Sequence, residues 1–242
     1  MVAANRDEFH RRPSTPAAFW PDQPQIFAGR DLEKGGTWLG VTRAGRFAAL
    51  TNFRDPPARK AAPQSRGLLV SGFLAAGDSP EQYLRRIAPT AADYDDFNLL
   101  VADRAALWYF GSRDGPPREL APGVYAVSNH ILDTPWPKVQ RVRRLFAAAL
   151  APGRVDAARL LDLLGDTSPP PDDALPQTGI GVEWERLLGP IFIASESYGT
   201  RASTALSIDD AGRIEFAERS FGAHGRLLGE TSQQIEPAIM PA

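Results

Sequence analysis

Four polar residues at positions 5–8, Asn-Arg-Asp-Glu, follow directly on the small apolar residues 2–4. Apolar residues 2–4 are typical of a buried strand, so the polar run is predicted to lie at the end of that strand. A carboxylate and a guanidinium held there, Asp7 and Arg6, can orient a nucleophile and tune its pKa. The alternative is structural, since the same two side chains can pair with each other or cap a turn.

A second candidate is Asn129, within "YAVSNHILDTPWPKV" (125–139). Residues 123–129 are predicted to form a strand that ends at Asn129. A side-chain amide at a strand end can donate a hydrogen bond to a developing oxyanion. The alternative is an Asx-turn that closes the strand.

A third candidate is the segment "ESYGTRAST" (196–204), which combines Gly199 with several hydroxyl groups and Arg201. It is predicted to be a loop before a strand at 203–209. Hydroxyl groups and a guanidinium on one loop can bind a carboxylate or a phosphate. The same residues can also form a turn whose side chains are solvated.

The three histidines, His10, His130 and His224, show no spacing typical of a metal site. Surface or turn positions are predicted for them, and His130, beside Asn129, is the best placed for a site. The segment "GGTWLG" (35–40) lacks the lysine and the strand-to-helix context of a phosphate-binding loop. No Gly-x-Ser-x-Gly nucleophile elbow occurs in the sequence.

Composition excludes several classes of function. A net charge of −2 and a pI near 6.0 argue against nucleic acid or a membrane surface as the main partner. No run of 18 apolar residues is present, so no membrane span is predicted. The sequence contains no cysteine, which rules out a disulfide framework within it and fits a reducing compartment. The charged N-terminal stretch indicates no secretory signal, and a cytoplasmic location is predicted.

The predicted elements suggest layers of antiparallel sheets and helices. Residues 13–34 are predicted to be a loop, and four basic residues of a helix at 135–153 are predicted to form a solvated face. One domain is expected over 1–221, with a frayed tail at 222–242. Clustered helices between two sets of strands predict an α+β fold in which two sheets pack face to face.

The other predicted strands are 38–42, 46–51, 97–103, 106–112, 191–195 and 213–221. The other predicted helices are 65–77, 79–88 and 156–164, and a long loop is predicted at 167–181. The basic residues of the 135–153 helix are Lys138, Arg141, Arg143 and Arg144.

Seven segments, in order over residues 2–221, together resemble the NRDE family, the family of transport and Golgi organisation protein 2. They are "VAANRDEFHRRP", "AGRDLEKGGTWLGVTRAGRFAALTNFRDP", "SRGLLVSGFL", "FNLLVAD", "YAVSNHILDTPWPKV", "YGTRAST" and "FAERSF". The resemblance implies an N-terminal-nucleophile hydrolase-like fold, a four-layer αββα sandwich. Family members usually begin with Met-Cys and a hydrophobic strand, so the first strand is expected to be truncated in this chain.

The layout is also similar to that of choloylglycine hydrolases and penicillin V acylases, which use an N-terminal cysteine. By this likeness, Arg6 and Asp7 would position the nucleophile. Asn129 would be the oxyanion donor, and Arg201 would be a later arginine of the site. With a cysteine upstream of the chain start, the mechanism would be amide hydrolysis.

The resemblance further implies haem handling, because the family is associated with it. We therefore predict a binding protein for haem trafficking or homeostasis, with His10 and His130 as candidate haem ligands. The alternative is the amidohydrolase, whose partner would be an amide substrate. A third hypothesis is a relic of the hydrolase fold that binds no ligand.

Overall fold

The computed structural model describes residues 1–54, 62–151 and 156–237, and its strands form two antiparallel sheets. Over these ranges, sheet A has four strands and sheet B has seven. In spatial order, sheet A contains β1 (Val2–Phe9), β9 (Tyr198–Ile208), β10 (Ile214–Phe221) and β11 (Leu227–Ile235). Sheet B contains β2 (Ser14–Trp20), β3 (Gln23–Asp31), β4 (Leu39–Thr42), β5 (Phe47–Asn52), β6 (Phe97–Ala102), β7 (Leu107–Gly111) and β8 (Arg118–Glu119).

Helices cover the outer faces of the sheets or connect them. Those in the described ranges are α1 (Gly67–Ala75), α2 (Pro80–Ile87), α3 (Pro137–Leu150), α4 (Ala157–Leu164) and α5 (Val182–Leu187). Within the described part of the chain, no helix is long and apolar enough to cross a membrane.

Three apolar cores show that the layers stack as αββα. The first core joins α1 and α2 to the outer face of sheet B, with Phe73 and Leu99 among its buried residues. The second lies between the two sheets, where Phe27 of sheet B meets Phe216 of sheet A. The third joins α3 and α4 to the outer face of sheet A, around Ala205. The predicted α+β fold and the four-layer order are therefore confirmed.

Local signals explain the elements that were predicted correctly. Helix α2 begins at a capping box, in which the Ser79 hydroxyl accepts from Gln82 N (3.2 Å) and Gln82 Oε1 accepts from Ser79 N (3.0 Å). Pro80 occupies the first turn, where its missing N–H costs nothing. The hairpin of β4 and β5, strands β6 and β7, and helices α1, α3 and α4 also lie where they were predicted, although residues 152–153 of the predicted third helix lie outside the described residues.

The predicted loop at 13–34 is wrong, because the segment forms β2 and β3. Pro16 is tolerated because β2 is an edge strand of sheet B, where a residue without an N–H loses no ladder bond. The pairing of β2 with β3 shifts between Thr15 and Ala18, on either side of that proline. Pro24 lies before the part of β3 that pairs with β4, which starts at Ile26.

The polar run at 5–8 lies inside a strand and does not follow its end. Strand β1 pairs with β9 from Val2 opposite Leu206 to Phe9 opposite Tyr198. The polar residues are accommodated because β9 offers polar partners, as where Ser203 Oγ donates to Asn5 Oδ1 (2.6 Å). The loop predicted at 196–204 is likewise wrong from residue 198 onwards, where β9 begins.

Two further predicted strands, 123–129 and 191–195, have irregular backbone instead. Side chains replace the ladder there, because Ile193 N donates to Thr200 Oγ1 (2.9 Å) and Ala126 N donates to Asp133 Oδ1 (2.8 Å). The frayed tail is also wrong over β11, which pairs along β10 and buries Ile235. Residues 238–242 of that predicted tail lie outside the described residues.

A close backbone approach holds the start of α1 against the segment that precedes β4. A methyl group on Gly36 would lie 2.6 Å from Gly67 O and 2.9 Å from Leu68 N, too close for either to stay in place. We expect Gly36→Ala to lower the free energy of unfolding by about 1–3 kcal/mol, as overpacking does. Gly77→Ala is the control, since a methyl group there meets nothing within 4 Å. If urea denaturation showed that Gly36→Ala and Gly77→Ala are equally stable, this packing would be contradicted.

Candidate functional site

A cavity of about 920 Å³ lies beside β1, the edge strand of sheet A. Its volume is near the upper end of the range of small-molecule pockets, roughly 300–1,000 Å³. Both sheets, α3 and the irregular segment 123–129 contribute to its walls. Apolar lining residues include Leu39, Phe47, Leu100, Val142, Phe146 and Leu206.

The two charged residues at the centre of the polar run point to opposite faces of sheet A. Alternation along a strand sends neighbouring side chains to opposite sides. Arg6 extends between the sheets, where its Cζ lies 4.2 Å from the centre of the Trp38 ring. Asp7 extends towards the helices, where its Oδ1 accepts from Thr200 Oγ1 (2.7 Å). Arg6 and Asp7 therefore do not form the strand-end pair that the sequence suggested.

Arg6 is a largely buried cation that has no anionic partner in the part of the chain that the structure describes. Among the described residues, no carboxylate oxygen lies within 4 Å of its guanidinium, and its one side-chain hydrogen bond is to Ser14 Oγ (3.3 Å). Burial lowers the pKa of Arg6 to about 10, although the Glu8 carboxylate opposes this shift. An unpaired buried charge is costly, so an anion placed in the cavity beside Arg6 would be stabilised.

Asp7 and Lys138 line the cavity on the face of β1 that is turned towards the helices. Burial raises the pKa of the Asp7 carboxyl group, and Lys138 opposes that shift. Burial also lowers the pKa of Lys138 to about 8, opposed by Asp7. Lys138 Nζ donates to Leu188 O (2.9 Å). The predicted solvated basic face is therefore wrong for Lys138, whereas Arg141 and its two neighbouring arginines, Arg143 and Arg144, are exposed.

Arg54 and Glu185 form a buried ion pair near Lys138. Arg54 Nη1 and Glu185 Oε2 are 2.6 Å apart, and the two side chains are 6% and 5% exposed. The other carboxylate oxygen of Glu185 accepts from Thr178 N (2.9 Å) and Thr178 Oγ1 (2.6 Å). The pair thus ties the segment that contains α5 to the end of β5.

Asn129 lines the same cavity as Asp7, but its amide is partly used for structure. Its Nδ2 donates to Asn52 O (3.0 Å), and its Oδ1 accepts from Ser128 Oγ (3.3 Å). Its backbone oxygen accepts from Arg54 N (2.7 Å). The side chain holds segment 123–129 against the end of β5, which leaves one amide hydrogen for another acceptor.

Arg201 does not line the cavity. It lies at the register shift between β1 and β9, where its neighbours Ala202 and Thr200 pair with consecutive residues of β1. A bulge of this kind turns the side chain away from the regular ladder. Its Nη1 donates to the carbonyl oxygens of Phe9, His10 and Arg12, at 3.0, 3.2 and 3.1 Å. Arg201 therefore stabilises the turn that follows β1.

Neither candidate haem ligand lines the cavity. The Nε2 atom of His10 lies 3.2 Å from Ser195 O. His130 packs between Phe53 and Trp136, and its Nδ1 lies 2.8 Å from Thr134 Oγ1. The structure thus brings Arg6, Asp7 and Asn129 to one cavity and leaves Arg201, His10 and His130 outside it.

Sequence reasoning missed Lys138 and Tyr198. Tyr198 lines the cavity, and its hydroxyl donates to Asp7 O (3.3 Å). A weak signal for Lys138 existed, because only three of the chain's 27 basic residues are lysines. Nothing in the sequence pattern distinguishes Tyr198 from an ordinary strand residue.

The buried ion pair gives a test of the site's scaffold. Removing one partner leaves an uncompensated charge, so we expect Arg54→Met to destabilise the fold by about 3–5 kcal/mol. Arg186→Met is the matched control, because Arg186 pairs with Asp172 and Glu183 at the surface and its loss should cost less than about 1 kcal/mol. The double variant Arg54→Met/Glu185→Met should be more stable than Arg54→Met alone. Equal midpoints of urea unfolding for Arg54→Met and Arg186→Met would contradict the assignment.

Comparison with known proteins places these features in a family. The family model described as Transport and Golgi organisation 2 matches residues 1–223. The chain is 38% identical to the Transport and Golgi organization protein 2 homolog of Bos taurus, over 91% of this chain and 86% of that protein. It is 37% identical to the Homo sapiens homolog, with the same two coverages.

A solved structure, that of a mutant conjugated bile acid hydrolase from Clostridium perfringens, is 8% identical. It matches with a TM-score of 0.47 over 87% of this chain and 76% of that one. The family match and the level of identity to the mammalian relatives lead to one conclusion: the chain belongs to the Transport and Golgi organisation 2 family.

Proposed function

We propose that this protein binds and carries an apolar small molecule that bears a carboxylate, with haem as the ligand. One observation carries the proposal: the buried guanidinium of Arg6 has no carboxylate partner among the described residues and lines a large cavity with apolar walls. A ligand carboxylate would supply the missing anion. A charge-assisted hydrogen bond of this kind contributes about 1.5–3 kcal/mol.

The surroundings of Arg6 suit a ligand with an apolar body. The Trp38 ring lies against the face of the guanidinium, which leaves its N–H edges available for hydrogen bonds, one of them to Ser14 Oγ. Phe47 and Leu206, from opposite sheets, line the same cavity, so an apolar molecule beside Arg6 would lose its contact with water. Haem combines an apolar macrocycle with carboxylate side chains and so has both features.

The proposal does not depend on a histidine ligand. His10 and His130 lie outside the cavity, whereas Tyr198 lines it. Haem iron is held by tyrosine in some proteins, but recognition through Arg6 and the apolar walls needs no axial bond. Binding without a strong axial bond suits a carrier, which must release its cargo. The cytoplasmic location stays a prediction.

Amide hydrolysis is the second candidate. One observation favours it, because Asp7 and Asn129 line the same cavity. The mechanism needs a thiol that the sequence does not contain, and Arg201 hydrogen-bonds to the turn after β1 instead. We therefore rank hydrolysis below carriage.

Haem binding can be tested by titration, with the Soret band as the signal. We expect Arg6→Met to weaken haem binding by about 10- to 100-fold, the equivalent of one charge-assisted hydrogen bond. Arg30→Met is the matched control, because Arg30 also lies over a ring, that of Trp20, but does not line the cavity. Haem dimethyl ester, which lacks free carboxylates, should bind both variants and the wild type equally. His10→Ala and His130→Ala should leave the Soret maximum unchanged.

Two outcomes would contradict the proposal. The first is a wild-type protein that produces no saturable change in the Soret band. The second is an Arg6→Met variant that binds haem as tightly as Arg30→Met does, since a carboxylate would then not be recognised at Arg6. Loss of the Soret band in His10→Ala or His130→Ala would indicate that the substituted histidine binds the haem iron.

A further inference from the structure

Lys138, a basic residue of the cavity lining, has no part in the carboxylate recognition proposed above. Arg6 and Lys138 lie on opposite faces of β1, so the two groups meet different parts of the cavity. The chain has 24 arginines and three lysines, and it places one of the three at this half-buried position in the cavity lining. Lysine differs from arginine in that its amine can lose a proton and act as a nucleophile.

We propose that the Lys138 amine captures the carbonyl group of an apolar aldehyde in the cavity as an imine, with Asp7 as the neighbouring acid–base group. This is an activity separate from carboxylate binding at Arg6. It needs only the cavity and the two side chains on the helix-facing side of β1.

The surroundings of Lys138 favour a neutral amine. Lys138 is the second residue of α3, where the partial positive charge of the helix N-terminus opposes an ammonium ion. Burial lowers its pKa to about 8, so a useful fraction of the amine is unprotonated near neutral pH. The hydrogen bond to Leu188 O fixes the nitrogen and can be made by a neutral amine as well as by an ammonium.

The charges around Lys138 favour a neutral ligand group over an anion. Glu185 balances Arg54, and Asp7 and Lys138 together carry no net charge, whether the proton resides on the amine or on the carboxylate. An anion brought to this cluster would therefore meet no net positive charge. A carbonyl group is neutral and polar, so it fits here, near Tyr198, which also lines the cavity.

The reaction balances without an oxidant or a reductant. The amine nitrogen attacks the carbonyl carbon, a proton passes from nitrogen to oxygen, and a carbinolamine forms. The C–O bond then breaks while the C=N bond forms. Asp7, whose pKa is raised by burial, gives a proton to the departing hydroxyl group and takes one back from nitrogen. One aldehyde and one amine yield one imine and one water, and hydrolysis of the imine releases the aldehyde.

Reductive trapping on the full-length protein tests the proposal. Incubation with nonanal and cyanoborohydride at about pH 7.5, followed by peptide mapping, reports labelling at each of the three lysines separately. We expect Lys138 to be labelled at least about tenfold faster than Lys34, which is exposed and also lines the cavity, because burial lowers the pKa of Lys138 to about 8. The rate of labelling at Lys138 should rise up to about pH 8 and then level off, since its amine is mostly unprotonated above its pKa of about 8.

Two variants and a denatured sample complete the experiment. Lys138→Arg, which retains the charge and a donor for Leu188, should be folded and should lose the fast label. Asp7→Asn should slow the labelling of Lys138 and leave Lys34 unchanged. In urea the preference for Lys138 should disappear. A purely structural lysine, tied to Leu188 and shielded, would be labelled more slowly than Lys34, and that result would overturn the proposal. The haem titration tests recognition at Arg6 alone. Its failure would therefore leave the labelling result at Lys138 unaffected.

Discussion

The hydroxyl group of Thr200 is the interaction on which the arrangement of the site depends. It is fully buried, donates to Asp7 Oδ1 and accepts from Ile193 N. One atom therefore joins β1, β9 and the irregular segment 191–195. Because Asp7 and Thr200 are direct partners across the β1–β9 ladder, the bond also fixes the register of the strand that carries Arg6. The hydroxyl thus orients a carboxylate whose burial would otherwise leave it unsatisfied.

Buried polar groups recur at the junctions between layers, and each is satisfied by partners from more than one element. Glu218 of sheet A accepts from Ala17 N (2.8 Å) of sheet B and from Thr204 Oγ1 (3.2 Å). Arg54 and Glu185 do the same between β5 and α5. Such groups contribute little net stability, but each permits one arrangement of its partners and so specifies how the layers fit together.

The sequence predicted the elements whose signals are local. Ser79 and Gln82 mark the start of α2, and the turn at Gly45 marks the β4–β5 hairpin, because caps and turns act over a few residues. Strand β2 was missed because Pro16 argues against a strand unless its position at a sheet edge is known. Strand β11 was missed because its pattern is polar and only pairing with β10 explains it.

The same limit applies to the site. Arg6, Asp7 and Asn129, which the sequence predicted as catalytic residues, all line the cavity, whereas their catalytic roles stay a prediction. Their orientation was not predictable, because alternation sends Arg6 and Asp7 apart only if the strand continues through both. Arg201 was expected in the site and Lys138 on a solvated face, and the tertiary structure places both of them elsewhere. A bulge turned the former to the carbonyl groups of a turn, and the packing of α3 turned the latter inwards.

The placement of Arg6 and Asp7 on opposite faces of one strand has a consequence for how this protein can diverge. A substitution changes one face of β1 and leaves the other intact. An inserted or deleted residue between Val2 and Arg6 would instead reverse every later side chain, so the guanidinium would face the helices and the carboxylate would face Trp38. Relatives should therefore vary in residue type along this strand far more readily than in its length.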